Sequence, residues 1–257
     1  MFFEDAFIYF PTKHPEGRWD PKRLGLGVED VHFAASDRTE LHGWFVAAEA
    51  PVATLLFCHG NAGNITDRAE IAAAMREVGF SVFLFDYRGY GKSEGKPSEE
   101  GLYLDGEAAF DWLARQDDVD RGRIVLFGES LGGAVAAELA LRRKAGALVL
   151  QSTFTSAREM ARRVLPIFPV GPFLRHDYDT LGKAPRIRVP LLVVHGDRDS
   201  MIPFEMGRRI YEAANDPKRF HPVERADHND LYDVGGMSYM RELRRFVEEH
   251  LGPATEE

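Results

Sequence analysis

A serine flanked by glycines lies between a run of β-forming residues and a run typical of a helix. Residues 128–132 read Gly-Glu-Ser-Leu-Gly, with Ile-Val-Leu-Phe before them and small or apolar residues after them. A Gly-x-Ser-x-Gly sequence between a strand and a helix predicts a nucleophile elbow, a sharp turn that lifts the serine hydroxyl above a sheet. The positive end of the helix would then face developing negative charge. The pattern indicates that Ser130 is a catalytic nucleophile, the alternative being a purely structural turn.

A serine hydroxyl needs a general base to activate it, and a third group must orient that base. In folds that use a nucleophile elbow, an acid and then a histidine follow the serine along the chain. Of the nine histidines, four precede Ser130, and three lie at a strand end, in the last predicted helix or in the segment 153–188. The other two are His221, inside the predicted last strand, and His228, in the loop after it. Because the base must reach the serine from a loop, we predict His228.

Two aspartates compete for the role of the acid. Asp197 and Asp199 both lie in the loop that follows the predicted strand at 191–194. Asp199 comes later, just before the next helix, and can reach back toward the imidazole. Asp197 is expected to hydrogen-bond to its own turn instead. We therefore predict Asp199 as the acid.

An oxyanion hole needs two backbone N–H groups that are already aimed at the reacting oxygen. One should belong to Leu131, directly after the nucleophile. The other should come from the loop His-Gly-Asn-Ala-Gly-Asn at 59–64, whose glycines let the backbone turn its amides inward. The expected donor is the N–H group of Asn61. Asn64 is expected to cap the next helix, and His59 to brace the loop rather than to transfer protons.

Three motifs together resemble those of the α/β-hydrolase superfamily, and the resemblance covers nearly the whole chain. They are residues 59–64, residues 86–93 (Asp-Tyr-Arg-Gly-Tyr-Gly-Lys-Ser) and residues 128–133. Within that superfamily they are similar to the Bem46-like and related ABHD-type serine hydrolases, as is the short stretch at 7–11 before the first strand.

The resemblance implies a function and a set of site residues. It implies hydrolysis of esters or thioesters by a triad of Ser130, Asp199 and His228. It also implies an oxyanion hole formed by Asn61 and Leu131. Residues 86–93 would be a structural loop without catalytic groups.

Strand and helix patterns alternate along the chain. Continuous apolar runs, as expected of strands buried on both faces, occur at 53–58, 81–85, 124–127, 146–150 and 191–194. Amphipathic helices are predicted at 68–78, 101–115, 131–144, 204–214 and 240–251. A strand pair at 28–33 and 41–47 precedes them. The alternation predicts a single α/β domain over 1–257, an α/β-hydrolase fold with a doubly wound, mostly parallel central sheet and helices on both faces.

The segment at about 153–188 breaks this alternation. It contains a proline-rich apolar stretch, 164–174, that suits neither a long helix nor a solvated loop. We predict a small cap insertion whose apolar side lines an acyl pocket; the alternative is that these residues complete the core. Arg158, Arg162 and Arg163 stand at helical spacing and could pair with a phosphate on a cofactor-linked acyl group, or could form a solvated helix face.

Charge and cysteine content exclude several other classes. The net charge of −9 over 257 residues argues against a nucleic-acid partner. Cys58, the single cysteine, is expected to be a buried apolar residue, so neither a disulfide nor a cysteine metal site is predicted. No metal or cofactor is expected. No apolar run is long enough to span a membrane and no signal peptide is recognisable, which favours a cytoplasmic protein.

The sequence as a whole predicts a serine hydrolase that cleaves a small-molecule carboxylic ester or thioester through an acyl-enzyme on Ser130. Two alternatives stay open: an amidase or peptidase that uses the same triad, and a non-catalytic binding protein of the same fold.

Overall fold

The central sheet of the computed structural model, which describes residues 4–24, 26–164 and 174–252, has the strand order β10-β9-β8-β7-β4-β6-β3-β2. β3 is antiparallel to both of its neighbours, and the other neighbouring strands are parallel. The strands are β2 (Glu29–Ala34), β3 (Glu40–Val46), β4 (Ala53–Cys58), β6 (Phe80–Asp86), β7 (Ile124–Glu129), β8 (Ala147–Gln151), β9 (Leu191–Gly196) and β10 (Lys218–Val223).

Helices connect the strands. The α-helices are α1 (Asp5–Ile8), α2 (Ala69–Glu77), α3 (Glu99–Leu113), α4 (Leu131–Arg142), α5 (Ala157–Val164), α6 (Thr180–Lys183), α7 (Phe204–Ala213) and α8 (Leu231–Leu251). Short 3-10 helices lie at Pro21–Leu24, Ile65–Arg68, Arg121–Arg123 and Ala184–Arg186.

Two apolar clusters, one on each face of the sheet, form the core. β4 shows how a continuous apolar run serves both: Leu56 and Cys58 belong to one cluster, Leu55 and Phe57 to the other. Successive side chains of a strand point to opposite faces, so a strand covered on both sides is apolar at every position. α3, α4 and α7 pack into the first cluster, and α2 and α8 into the second. The predicted fold class and the burial of Cys58 are thus confirmed.

The last helix is longer than predicted. The apolar periodicity indicated a start at residue 240, but α8 begins at Leu231. Gly236 inside it has φ 51° and ψ −147°, which is not helical, so two helical stretches meet there at a kink. A pair of glycines usually ends a helix, and this is why the sequence pattern hid the first stretch.

A second, two-stranded sheet ties the N-terminal segment to the rest of the fold. It pairs β1 (Phe10–Pro11) in parallel with β5 (Ala62–Gly63). Strands of two residues show no alternation of polar and apolar positions, so the sequence does not predict them. Their consequence is local: the chain before β2 runs beside the loop 59–64.

The segment 153–188 contains α5, α6 and a 3-10 helix, and no strand within its described residues. Most of the apolar stretch at 164–174 falls on residues 165–173, which lie outside the described residues. The cap insertion and the domain limits therefore stay predictions. No described helix combines the length and the apolar character needed to cross a membrane.

Candidate active site

Ser130 occupies the sharp turn between β7 and α4. Its φ of 54° and ψ of −116° lie outside the regions that side chains usually adopt, which is the strain expected of a nucleophile elbow. The flanking glycines make the turn possible. A Cβ atom at Gly128 would stand 2.5 Å from the backbone of Gly132 and Gly133, and one at Gly132 would overlap the carbonyl oxygen of Cys58.

The loop after β10 brings His228 onto the serine. The imidazole Nε2 lies 3.2 Å from Ser130 Oγ, and Nδ1 lies 2.8 Å from Asp199 Oδ2. With the proton on Nδ1, the ring donates to the carboxylate and accepts from the serine hydroxyl. The three residues proposed as a triad from the sequence thus form one hydrogen-bonded chain.

The Asp199 carboxylate is buried and well supplied with donors. Its Oδ1 accepts from the backbone N–H groups of Met201 and Ile202, at 3.0 and 2.7 Å. Burial raises the pKa of this carboxyl, but hydrogen bonds from His195 and His228 outweigh it and hold the pKa below its ordinary value. Asp199 is therefore ionised at neutral pH and favours the Nδ1–H tautomer of the His228 imidazole.

His195 is a residue that sequence reasoning set aside as a strand end. Its Nε2 lies 3.3 Å from Asp199 Oδ2 and 2.9 Å from the carbonyl oxygen of Ile202. It thus supports the same carboxylate oxygen that binds the base. Its spacing of four residues from Asp199 was the available signal, but nothing in the sequence showed that the loop folds back on itself.

Asp197 does not bond to its own turn, and that part of the prediction was wrong. Its Oδ1 accepts from the backbone N–H of Arg225, in the loop that carries the base. Asp227 joins the same two loops, because it accepts from Ser200 and from the backbone N–H of His228. These long-range contacts fix the base loop against the acid loop, and local sequence does not reveal them.

His221 lies on β10, as predicted. Its ring is nearly parallel to that of Tyr239, with the ring centroids 6.4 Å apart.

We expect His228→Ala to lower kcat by about 10⁴-fold or more, because it removes the predicted proton acceptor. His221→Ala is the matched control and should leave kcat nearly unchanged. Hydrolytic turnover by the two purified variants checks this; equal losses would contradict the predicted role of His228.

Leu131 and Asn61 face the same space as the serine. Leu131 is the first residue of α4, where a helix N–H has no partner within the helix. Neither its N–H nor that of Asn61 donates to a protein acceptor in the described part of the chain. Ser130, Leu131 and Asn61 thus line one cavity, and the oxyanion hole formed by the two N–H groups stays a prediction.

The residues around Asn61 act as the sequence suggested. Asn64 caps the 3-10 helix that starts at Ile65, with Asp67 completing a capping box. The buried His59 ring bonds through Nδ1 to the carbonyl oxygen of Gly60, at 2.7 Å. Burial lowers the pKa of His59 to about 3, so the ring stays neutral and Nδ1 carries the donated proton. His59 braces the loop.

A mainly apolar cavity of about 780 Å³ leads to Ser130, a size that suits a small-molecule ligand. Its described polar lining residues are Glu4, Asn61, Ser130, Arg163, Ser200 and His228. Its apolar lining comes from α1, the start of α4, α5 and three segments outside the helices and strands: Phe7, Ile8, Leu131, Phe154, Ala157, Met160, Ala161, Val164, Leu174, Met201 and Ile202.

The three arginines of α5 differ in their surroundings. Arg163 lines the cavity, whereas Arg158 lies 3.4 Å from Asp177. Arg162 is exposed. Phosphate recognition by these residues stays a prediction.

Among the described residues, Asp30, His32 and His42 place three possible metal-ligand atoms within 4.8 Å of one another. The Lys92 ammonium lies 3.4 Å from Asp30 and 3.5 Å from His42 Nε2, where it would repel a cation. Asp30 also accepts from Trp44 at 3.0 Å. The Asp30 carboxylate of this cluster is thus already paired with Lys92 and Trp44.

Comparison with known proteins decides the family. Residues 49–170 match the family model described as Serine aminopeptidase, S33. The Arabidopsis thaliana alpha/beta hydrolase domain-containing protein WAV2 is 36% identical over 272 residues, covering 96% of this chain and 88% of WAV2. The chain belongs to the α/β-hydrolase superfamily.

Three other proteins are similar to this chain over most of its length. An uncharacterized protein of Mycobacterium tuberculosis is 40% identical over 246 residues, 94% of this chain and 86% of that protein. Protein bem46 of Schizosaccharomyces pombe is 30% identical, covering 95% and 85% of the two chains, which confirms the predicted branch. The solved structure of the Pyrococcus furiosus esterase Pf2001 has a TM-score of 0.80 at 22% identity, over 95% of this chain and 98% of that one. This last likeness shows the α/β-hydrolase fold, and the family supports hydrolase activity.

Proposed function

We propose that this protein is a serine hydrolase that cleaves carboxylic esters of apolar acyl groups through an acyl-enzyme on Ser130. The observation that carries the proposal is the hydrogen-bonded chain from Ser130 through His228 to Asp199, at 3.2 and 2.8 Å. This chain lies beside a largely apolar cavity and two backbone N–H groups that have no described protein acceptor. A serine placed in this way can act as a nucleophile at neutral pH.

The reaction follows from the geometry. Ser130 Oγ adds to the acyl carbonyl carbon while His228 Nε2 takes the hydroxyl proton, and the ionised Asp199 stabilises the imidazolium. The N–H groups of Asn61 and Leu131 donate to the carbonyl oxygen as it becomes an oxyanion. The intermediate expels the alkoxide or thiolate, which takes the proton from His228. Water then attacks the acyl-enzyme by the same steps and releases the acid.

The apolar lining favours an acyl chain over a polar substrate. Burying one methylene contributes about 0.8 kcal/mol, which is about a fourfold gain in kcat/KM. In a p-nitrophenyl ester series from acetate to palmitate, we expect kcat/KM to rise with chain length until the cavity is full. A preference for acetate would contradict an apolar acyl site.

We expect Ala161→Trp to shorten the preferred acyl chain in that series. Ala161 lines the cavity from α5, so an indole there takes up volume that the chain would use. The loss in kcat/KM should be small for acetate and at least about tenfold for the best native substrate, since several buried methylenes are displaced. Arg162→Trp, exposed on the same helix, is the control and should leave the profile unchanged. An unaltered profile in Ala161→Trp would place the acyl chain elsewhere.

Aminopeptidase activity is a second candidate, because the matching family model is described as Serine aminopeptidase. Such an enzyme needs an anionic group for the amino terminus of its substrate. The acid among the described lining residues is Glu4, whose carboxylate already accepts from the backbone N–H groups of Arg175 and His176, at 3.0 and 2.9 Å. Esters are therefore favoured over peptides. Faster turnover of aminoacyl p-nitroanilides than of any ester would reverse this preference.

A non-catalytic role predicts a different result. A binding protein of this fold would not need an activated serine, and a fluorophosphonate would leave it unlabelled. A hydrolase of any of these substrate classes would be labelled.

A further inference from the structure

We propose that Tyr90 and the N-terminal residues 8–10 are positioning elements that aim the Asn61 N–H group at the oxyanion. The proposal rests on the proposed function, because it concerns a donor of the oxyanion hole. It also gives a positioning role to Tyr90, which lies in the stretch 86–93 that was predicted to be a structural loop. We call residues 8–10 the N-terminal strap.

The strap and Tyr90 hold Asn61 by three hydrogen bonds. The side-chain Nδ2 of Asn61 donates to the carbonyl oxygen of Ile8 at 2.8 Å. The backbone N–H of Phe10 donates to the carbonyl oxygen of Asn61 at 2.9 Å. The Tyr90 hydroxyl donates to the same oxygen at 2.8 Å. The strap thus holds both the side chain and the carbonyl group of Asn61, and Tyr90 also holds the carbonyl group.

The peptide on the other side of Asn61 is held as well. In a planar trans peptide the C=O and N–H groups point in opposite directions. The His59 ring holds the carbonyl oxygen of Gly60, and the same peptide carries the N–H group of Asn61. With both adjoining peptides fixed, the N–H group keeps its direction before substrate binds, which is the preorganisation that an oxyanion hole requires.

The strap and Tyr90 are themselves held in place. Tyr90 is fully buried, and burial raises the pKa of its hydroxyl, so the group stays protonated and remains a donor. In the strap, the Tyr9 hydroxyl lies 2.7 Å from that of Tyr178. Before the strap, Asp5 bonds to His176 at 2.9 Å. These contacts hold the N-terminal segment against residues 176–178.

The size of the effect can be bounded. Removing an oxyanion donor outright costs about 10²–10³ in kcat. The Tyr90→Phe substitution leaves the donor in place and leaves Phe10 bonded to the Asn61 carbonyl, so no buried acceptor loses all its partners. We expect kcat to fall about tenfold because the donor is less well aimed, with KM within about twofold of the native value.

The test compares substrate turnover with the affinity for an oxyanion mimic. An alkyl trifluoromethyl ketone adds to the serine hydroxyl and forms a hemiketal whose oxygen occupies the oxyanion hole. In Tyr90→Phe, its inhibition constant should rise by the same factor as kcat falls. Tyr239→Phe is the matched control: it also removes a buried phenol hydroxyl, one that donates to Gln151, and it should leave the inhibition constant unchanged.

A second variant covers the possibility that Tyr90→Phe does not fold. Asn61→Ala removes the tie to Ile8 at a partly exposed residue while keeping the backbone N–H, and it should show the same paired change. Loss of turnover or of thermal stability without weaker ketone binding, in whichever variant folds, would overturn the proposed positioning role of Tyr90 and the strap. If the native protein itself neither binds the ketone nor reacts with a fluorophosphonate, the proposed function fails instead.

Discussion

The Ser130→Ala substitution is expected to lower kcat for ester hydrolysis by about 10⁴-fold or more. The alanine has no oxygen to attack the acyl carbon, so no acyl-enzyme can form. The oxyanion hole and the cavity would remain, and substrate binding should change little. Steady-state kinetics on the best p-nitrophenyl ester measure the effect.

The matched control is Ser36→Ala, a change of the same kind at an exposed turn between β2 and β3. It should be as active as the native protein. If Ser130→Ala kept activity within about tenfold of the control, the nucleophile would lie elsewhere and the proposed mechanism would fail.

The Asp199→Asn substitution should have an effect of similar size, about 10⁴-fold in kcat. Oδ1 of Asp199 accepts two backbone N–H groups, from Met201 and Ile202, so the amide oxygen of an asparagine should take that place. The NH₂ group would then face His228 Nδ1 and donate to it. This places the ring proton on Nε2. A protonated Nε2 cannot accept the proton of the Ser130 hydroxyl.

Asp197→Asn is the control for this change. Its Oδ1 accepts from the backbone N–H of Arg225, and an amide oxygen can accept the same hydrogen bond. The kcat of this variant should stay close to the native value. A larger loss in Asp197→Asn than in Asp199→Asn would exchange the roles of the two acids.

The sequence predicts the central sheet and the position of the triad because both depend on local patterns. Strands buried on both faces are apolar throughout, and Ser130 is marked by glycines that a turn of this kind requires. Once the serine is placed, the chain order leaves His228 and Asp199 with few competitors. Local constraints are therefore sufficient for the sheet and for Ser130, and the order of the triad along the chain adds His228 and Asp199.

What the sequence does not predict depends on contacts between distant segments. His195 supports Asp199 because the loop after β9 folds back, and Asp227 joins two loops that are about thirty residues apart. The strap reaches Asn61 across about fifty residues through a two-residue strand pair, which is too short to leave a pattern. Such contacts are determined by the tertiary fold.

The most direct test of the central claim is covalent labelling of the native protein with a fluorophosphonate, followed by intact mass measurement and sequencing of the labelled peptide. We predict a single adduct on Ser130, absent from Ser130→Ala and formed far more slowly in His228→Ala than in His221→Ala. Absence of an adduct on the folded native protein, or an adduct on another residue, would contradict an activated Ser130.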